Sequence, residues 1–392
     1  MKRLFSHLLF KVFLAIVLGI FSGLYLPESI NRIFTTFNAF FGQFLNFAIP
    51  LIIMGLIMPA ISDIGKGAGK LLLLTAGIAY ASTLFSGFMT YFAASGIFPG
   101  LLESHINTTA QIADAENELL PYFSISIPPV IDVMSALVLA FIIGLGLSFQ
   151  EKSTLKLVVK DFQIIIIQLI EKVIVPLLPL FILGIFTSMS FSGRVYAILS
   201  VFLNIIGVIF ALHILLLLLQ YGIVGMFVKK NPFRLLSVMM PAYFTALGTQ
   251  SSAATIPVTL KQTLKNGVSE KVAGFVIPLC ATIHLSGSIM KITACALALM
   301  ILQGLPFNFI LFTGLIFTLS IAMIAAPGVP GGAIMAAIGI LQSMLGFNEE
   351  MIGLMIALYI AMDSFGTACN VTGDGAIALA VDKITKTEAV GK

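Results

Sequence analysis

A chain of 392 residues that is 59% hydrophobic, 10% charged and of mean hydropathy +1.09 is not built like a soluble globular domain. Its apolar runs are long and do not alternate as barrel strands would, so the class is an all-α polytopic membrane protein. The net charge of +4 carries no signal for nucleic acid, because in such a chain the position of the charges matters more than their sum.

Six bilayer-length runs come first, at roughly 8–26, 38–62, 71–99, 129–149, 161–191 and 195–228. The first lacks a small-residue cleavage site and reads as a span, not a signal peptide. Basic residues gather at alternate ends of these runs. Lys2, Arg3 and Lys11 come first, then Lys66 and Lys70, Lys152, Lys156 and Lys160, and Lys229, Lys230 and Arg234. Lys261, Lys265, Lys271, Lys383, Lys386 and Lys392 complete 17 of the 21 basic residues, all on one side if the termini share it. The opposite loops hold Arg32, Arg194 and the acidic stretch 103–118. Both termini are therefore expected in the cytoplasm. The remaining two lysines, Lys172 and Lys291, fall inside apolar runs. Cys280, Cys295 and Cys369 have no paired or metal-type spacing and read as buried thiols.

After Pro232 the texture changes. "ALGTQSSAATIPVT" (246–259) and "AAPGVPGGAIMAA" (325–337) interrupt apolar flanks that are too short to span. Irregular backbone at membrane depth is tolerated only inside protein or beside an aqueous cavity. Each stretch therefore reads as the tip of a re-entrant helical hairpin. The first starts from the lysine-rich side and the second from the other, and each precedes a polar-striped helix, near 272–301 and 351–381. Hairpin plus broken helix, twice and inverted, points to a transporter with its site near the midplane. One such break would fit a merely kinked helix; two in register favour transport.

The last helix carries the densest polar stripe. Stepping 100° per residue from Asp363 puts Asn370 at about −20°, Asp374 at about +20° and Thr367 at about +40°. Carboxylates at membrane depth face a cavity, an ion or a basic partner. Carboxylate and amide oxygens without His/Cys spacing suit a hard monovalent cation. "CATIHLSGSIMK" (280–291) is the counterpart, and its Ser286–Ser288 segment could mark a helix break that frees carbonyls for a cation. His284 reads as a hydrogen-bonded structural residue or a proton relay. Lys291 needs a counter-ion or a substrate anion, unless it snorkels to a wet face. At the hairpin tips, the hydroxyls and N–H groups of Ser251, Ser252, Val329 and Gly331 are suited to holding a carboxylate. No nucleotide-binding or hydrolase motif is present, so an enzyme is not expected. An intramembrane protease built on Asp363 lacks a second aspartate on the facing "HLSGS".

"SSAATIPVT" (251–259), "PGVPGGA" (327–333), "DSFGTACNVTGD" (363–374) and "ALVLAFIIGLGLS" (136–148) resemble the dicarboxylate/amino acid:cation symporters, prokaryotic relatives of glutamate transporters. The resemblance implies eight transmembrane helices plus two re-entrant hairpins, near 235–265 and 310–346, in a homotrimer of the bacterial inner membrane. Scaffold spans would lie in 1–70 and 101–192, and a mobile elevator domain in 71–100 and 193–392. By the same resemblance Asp363 meets the substrate amine with help from Thr367. Asn370, Ser251 and Ser252 hold its carboxylate, and Ser288 lies near its side chain. Asp374 with carbonyls of Cys280, His284 and Asn370 matches one sodium site. Carbonyls near Met323, Ile324 and Ala326, with Thr282, match a second.

Two departures matter. Members that take acidic substrates have an arginine where this chain has Gly366, and "NMDGT" reads "HLSGS", which removes a third sodium site. The substrate expected is a small neutral amino acid with Na+ as coupling ion and no organic cofactor. Alternatives are a dicarboxylate held by Lys291, with H+ coupling through His284, and a channel or sensor.

Overall fold

The computed structural model describes residues 8–63, 70–112, 119–150, 153–193, 195–326 and 331–390, excluding the side chains of 63, 103–112, 197–198 and 387–390. The described residues form helices and connecting chain, with no strand among them. In order, α1 is Leu8–Tyr25, α2 Glu28–Asp63, α3 Lys70–Ile112 and α4 Val133–Ser148. Then α5 (Thr154–Leu169) continues through a π-turn at Ile170–Ile174 into α6 (Val175–Phe191), and α7 is Val195–Val228. Two pairs of short helices follow, each pair packed on itself: α8 (Pro232–Thr249) with α9 (Ser252–Lys265), and α12 (Phe309–Ala325) with α13 (Gly332–Leu345). Between them run α10 (Glu270–Ile283) and α11 (Ser286–Leu302), and the last pair is α14 (Glu349–Ala361) and α15 (Asp363–Val390).

Six helical stretches among the described residues are long and apolar enough to cross a membrane, and α14 with α15, bent by 60° at Met362, makes a seventh. The fourth expected span is α4, whose 16 residues reach about 24 Å at 1.5 Å per residue, short of a bilayer core. Many large apolar side chains point outward, among them Phe13, Phe92, Ile142, Leu203 and Ile310. In a water-soluble fold so much exposed apolar surface would be a liability; against lipid it is what a helix surface should present.

Three differences from the sequence reading have local causes. The interval after 100, read as loop, stays helical to Ile112 at the end of a 43-residue α3, because a polar segment gives no apolar period by which to see its helix. Around Tyr122 the chain is pinned to α2. Tyr122 donates its N–H to Thr36 Oγ1 and its hydroxyl to the Ser29 carbonyl, while the Arg32 guanidinium lies over the Tyr122 ring. The fifth span begins at Thr154, seven residues before its apolar run, and its π-turn sits just ahead of Pro176, which has no N–H to close an ordinary turn. Lys172 lies exposed in that turn, so the two intramembrane lysines part company here: Lys291 is fully buried.

All 17 residues of α11 are buried. It packs against α3, α7, α12, α13, α14 and α15, and so forms the axis of the molecule. The helices α1, α2, α4, α5 and α6 pack largely among themselves and meet the rest through α7, α12, α13 and α14. At that boundary Gly339 of α13 sits against Ile49 of α2 and Gly353 of α14 against Ile185 of α6. One hydrogen bond also crosses it, from Gln342 Nε2 to Asn46 Oδ1 at 2.8 Å.

Small residues let α1 pack closely on α6. Gly19 and Gly23 of α1 face α6, and a Cβ on Gly19 would lie 2.6 Å from the Leu183 carbonyl oxygen. Gly19→Leu should therefore cost about 1–3 kcal/mol by overpacking. A lower melting temperature in detergent is the expected reading. Gly77→Leu, with nothing within 4 Å of its Cβ position, should leave it unchanged.

Candidate functional site

The site is assembled where helices stop. Asp363 is the first residue of α15, where unpaired backbone N–H groups favour a carboxylate. Gly331, in the left-handed conformation (φ 76°), caps α13 at the second hairpin, and its N–H donates to Asp363 Oδ2 at 3.0 Å. Lys291 reaches over from α11, and its Nζ lies 3.1 Å from Asp363 Oδ1 and 3.6 Å from the centre of the Tyr359 ring. The lysine stem crosses Gly366. A Cβ there would stand 2.5 Å from Lys291 Cε and 2.6 Å from Nζ. Lysine and glycine are thus two halves of one arrangement: the space for a side chain on α15 is filled from α11.

One turn further along α15, Asn370 bridges to α11. Its Oδ1 accepts the Gly287 N–H at 2.7 Å, and its Nδ2 donates to Ser288 Oγ at 3.3 Å, an oxygen that also accepts from the Tyr359 hydroxyl. Gly287 is required here, since a Cβ would lie 2.6 Å from the Gly366 carbonyl oxygen. Gly287→Ala should push α11 and α15 apart. Ligand-induced thermal stabilisation is expected to vanish in that variant, with a lower melting temperature.

Thr367 is buried and donates its hydroxyl back to the Asp363 carbonyl. The first hairpin turns at Gln250 and Ser251. Gln250 Nε2 donates to Ser364 Oγ, which ties the tip to the start of α15 beside Asp363. Ser251 Oγ caps α9 by accepting the Ala254 N–H, and Ser252 is buried. Val329 and Gly328 lie outside the described residues.

The break in the counterpart helix falls at His284 and Leu285, not within Ser286–Ser288. The "SGS" segment is the first turn of α11, stabilised by the Ser288 and Ile289 N–H groups on the Leu285 carbonyl. His284 Nδ1 lies 2.9 Å from Asp374 Oδ1, and its Nε2 lies 3.1 Å from Ser82 Oγ, which accepts from Gln220 Nε2 at 3.0 Å. Followed donor to acceptor, Gln220 gives to Ser82, Ser82 to Nε2, and Nδ1–H to Asp374. That chain closes with a neutral imidazole. Asp374, 1% exposed, therefore keeps its second oxygen for another partner. Beside it Tyr221 donates to the Thr372 carbonyl, and the Cys280 carbonyl accepts the His284 N–H.

The second expected cation set is less convergent. Met323, Ile324 and Ala326 end α12, with the Ala326 N–H on the Met323 carbonyl. Thr282 is exposed, and its hydroxyl is spent on the Leu279 carbonyl of its own helix. Among the described residues no cluster of three His, Cys, Asp or Glu side chains could hold a transition metal.

Ser82, Gln220 and Tyr359 are the polar partners that sequence reasoning missed. Each sits inside an apolar run, and that isolation was the available signal. Ser82 and Gln220 line the floor of a cavity of about 270 Å³, walled by Ile78, Phe85, Val224 and Ile377 between α3, α7 and α15.

The chain is 29% identical to the serine/threonine transporter SstT of Acinetobacter baumannii over 97% of its own length and 98% of the relative's. The protein of the same name from Acinetobacter baylyi is 27% identical over 96% and 97%. The excitatory amino acid transporter 3 of Mus musculus is 36% identical over 45% of this chain and 34% of its own. With residues 8–384 matching the family's pattern, the chain belongs to the sodium:dicarboxylate symporter family and is a transporter, not an enzyme.

Proposed function

We propose that this transporter imports a small neutral amino acid together with sodium. The observation that carries the reading is the pairing of Lys291 with Gly366. An acidic substrate needs a cation to grip its side-chain carboxylate. The position that would supply one is glycine, and the lysine that fills the space has its charge spent on Asp363. The pocket therefore suits a side chain without charge, in keeping with relatives named for serine and threonine. The ligand's amine would meet Asp363, its carboxylate Asn370 and the Ser251/Ser252 tip, and its side chain the Ser288 hydroxyl. Sodium would take the remaining oxygen of Asp374, with carbonyls of Cys280, His284 and Asn370. A second ion would use carbonyls of Met323, Ile324 and Ala326 at the second hairpin.

The remaining features follow the family resemblance: a homotrimer in the bacterial inner membrane, termini in the cytoplasm, and an elevator motion of α3 with residues 193–392 against α1, α2 and α4 to α6. Self-packing of those five helices supports the division. The other reading, a dicarboxylate held by Lys291 with protons moving through His284, draws on the full burial of that lysine. Uptake into proteoliposomes decides between them. Labelled serine or alanine should accumulate with an inward sodium gradient and not with potassium. Accumulation of succinate or aspartate in its place would overturn the neutral amino acid reading.

A further inference from the structure

Both oxygens of Asp363 are already engaged, one by the Gly331 N–H and the other by the Lys291 ammonium. The amine subsite is thus held by an amine that belongs to the chain itself. The pair is buried, with no exposure of the lysine side chain, and its charges sum to zero. Leaving either charge unpaired at this depth would be costly. A ligand must therefore preserve the balance. An amine without a carboxylate would strand Lys291. A carboxylate without an amine would strand Asp363 once Lys291 turned to it. A zwitterion brings one partner for each.

We propose that the Lys291–Asp363 ion pair opens to admit a zwitterion between its two charges. The ligand's ammonium takes Asp363 and Lys291 passes to the ligand's carboxylate. Ser288 and Lys291 lie three residues apart on one face of α11, and Ser288 Oγ receives Asn370 Nδ2, so a carboxylate at Asn370 is within reach of the lysine. The flexible four-carbon stem lies over Gly366, where any side chain would collide with its Cε and Nζ. Selectivity then comes from charge neutrality: net-neutral ligands enter, dicarboxylates and diamines do not. The inference rests on the amino acid reading and deepens it.

Binding measured on purified protein tests this with three probes of one size: L-alanine, its amino alcohol L-alaninol, and its hydroxy acid L-lactate. The wild type should bind alanine and neither of the others. Asp363→Asn leaves a net positive pocket and should gain lactate by about tenfold or more over the wild type. Lys291→Met leaves a net negative pocket and should gain alaninol likewise. If the wild type binds lactate as tightly as alanine, the amino acid reading itself falls. If it binds alanine alone but neither variant changes its charge preference, this inference falls and that reading stands. Should the single variants fail to fold, the wild type supplies the answer without them. There, alanine affinity unchanged on O-methylation of its carboxylate would remove the role given to Lys291.

Discussion

Asp363→Asn should abolish amino acid uptake while leaving the protein in the membrane. Three contacts meet at this carboxylate: the α13 tip, the Lys291 ammonium and, by proposal, the substrate amine. The amide keeps the size of the side chain and loses its charge. Removing one partner of a buried ion pair costs about 3–5 kcal/mol of folding stability, and losing the charge that meets the substrate amine should lower affinity by about a hundredfold if that contact is worth about 3 kcal/mol. Initial-rate uptake in proteoliposomes is the measurement, with melting temperature alongside it. The double variant Asp363→Asn/Lys291→Met separates the two contributions. It should recover melting temperature, because no charge is left unpaired, and should not recover uptake. Uptake by the single variant at wild-type rates would remove Asp363 from the site.

The second large effect is expected at Asp374. Asparagine there can still accept the Nδ1–H of His284 through its carbonyl oxygen, so the chain from Gln220 through Ser82 to His284 survives. What is lost is the charge that would hold a cation. Wild-type protein should melt higher in sodium than in potassium, because an ion that binds the folded state stabilises it by mass action. Asp374→Asn should lose most of that difference, and sodium-driven uptake should fall by about a hundredfold if the site's contribution is about 3 kcal/mol. An undiminished sodium effect would move the coupling ion elsewhere.

Much of this was legible in the sequence because membranes punish exceptions. Asp363, Thr367, Asn370 and Asp374 do share one helix, α15, with Asp363 as its first residue. The Gly/Pro/Ser-rich stretches do mark where one short helix gives way to the next: α8 ends and α9 begins inside the first, and α12 ends and α13 begins inside the second. Lys291 and Lys172 looked alike as sequence, and only packing separated them. One lies on a fully buried helix and the other in a π-turn on the periphery. The partner of Asp374 was hidden for another reason. His284 is 90 residues away in sequence, and Ser82 and Gln220 further still, so no local period relates them. The break at His284 and Leu285 was placed too late because "SGS" looks flexible. In the structure those small residues instead allow the close approach of α11 to α15.

The boundary between α12–α14 and the α1, α2, α4–α6 group has a mechanical consequence. Two of its apolar contacts pair a glycine with a branched aliphatic side chain, Gly339 with Ile49 and Gly353 with Ile185. Such contacts are non-directional and shallow, so a shift along the helix axes trades one for a similar one. The Gln342–Asn46 bond is different, because it holds at one register only. In energetic profile such a surface is a smooth rail notched where polar groups meet, and the depth of those notches sets how long one position is kept.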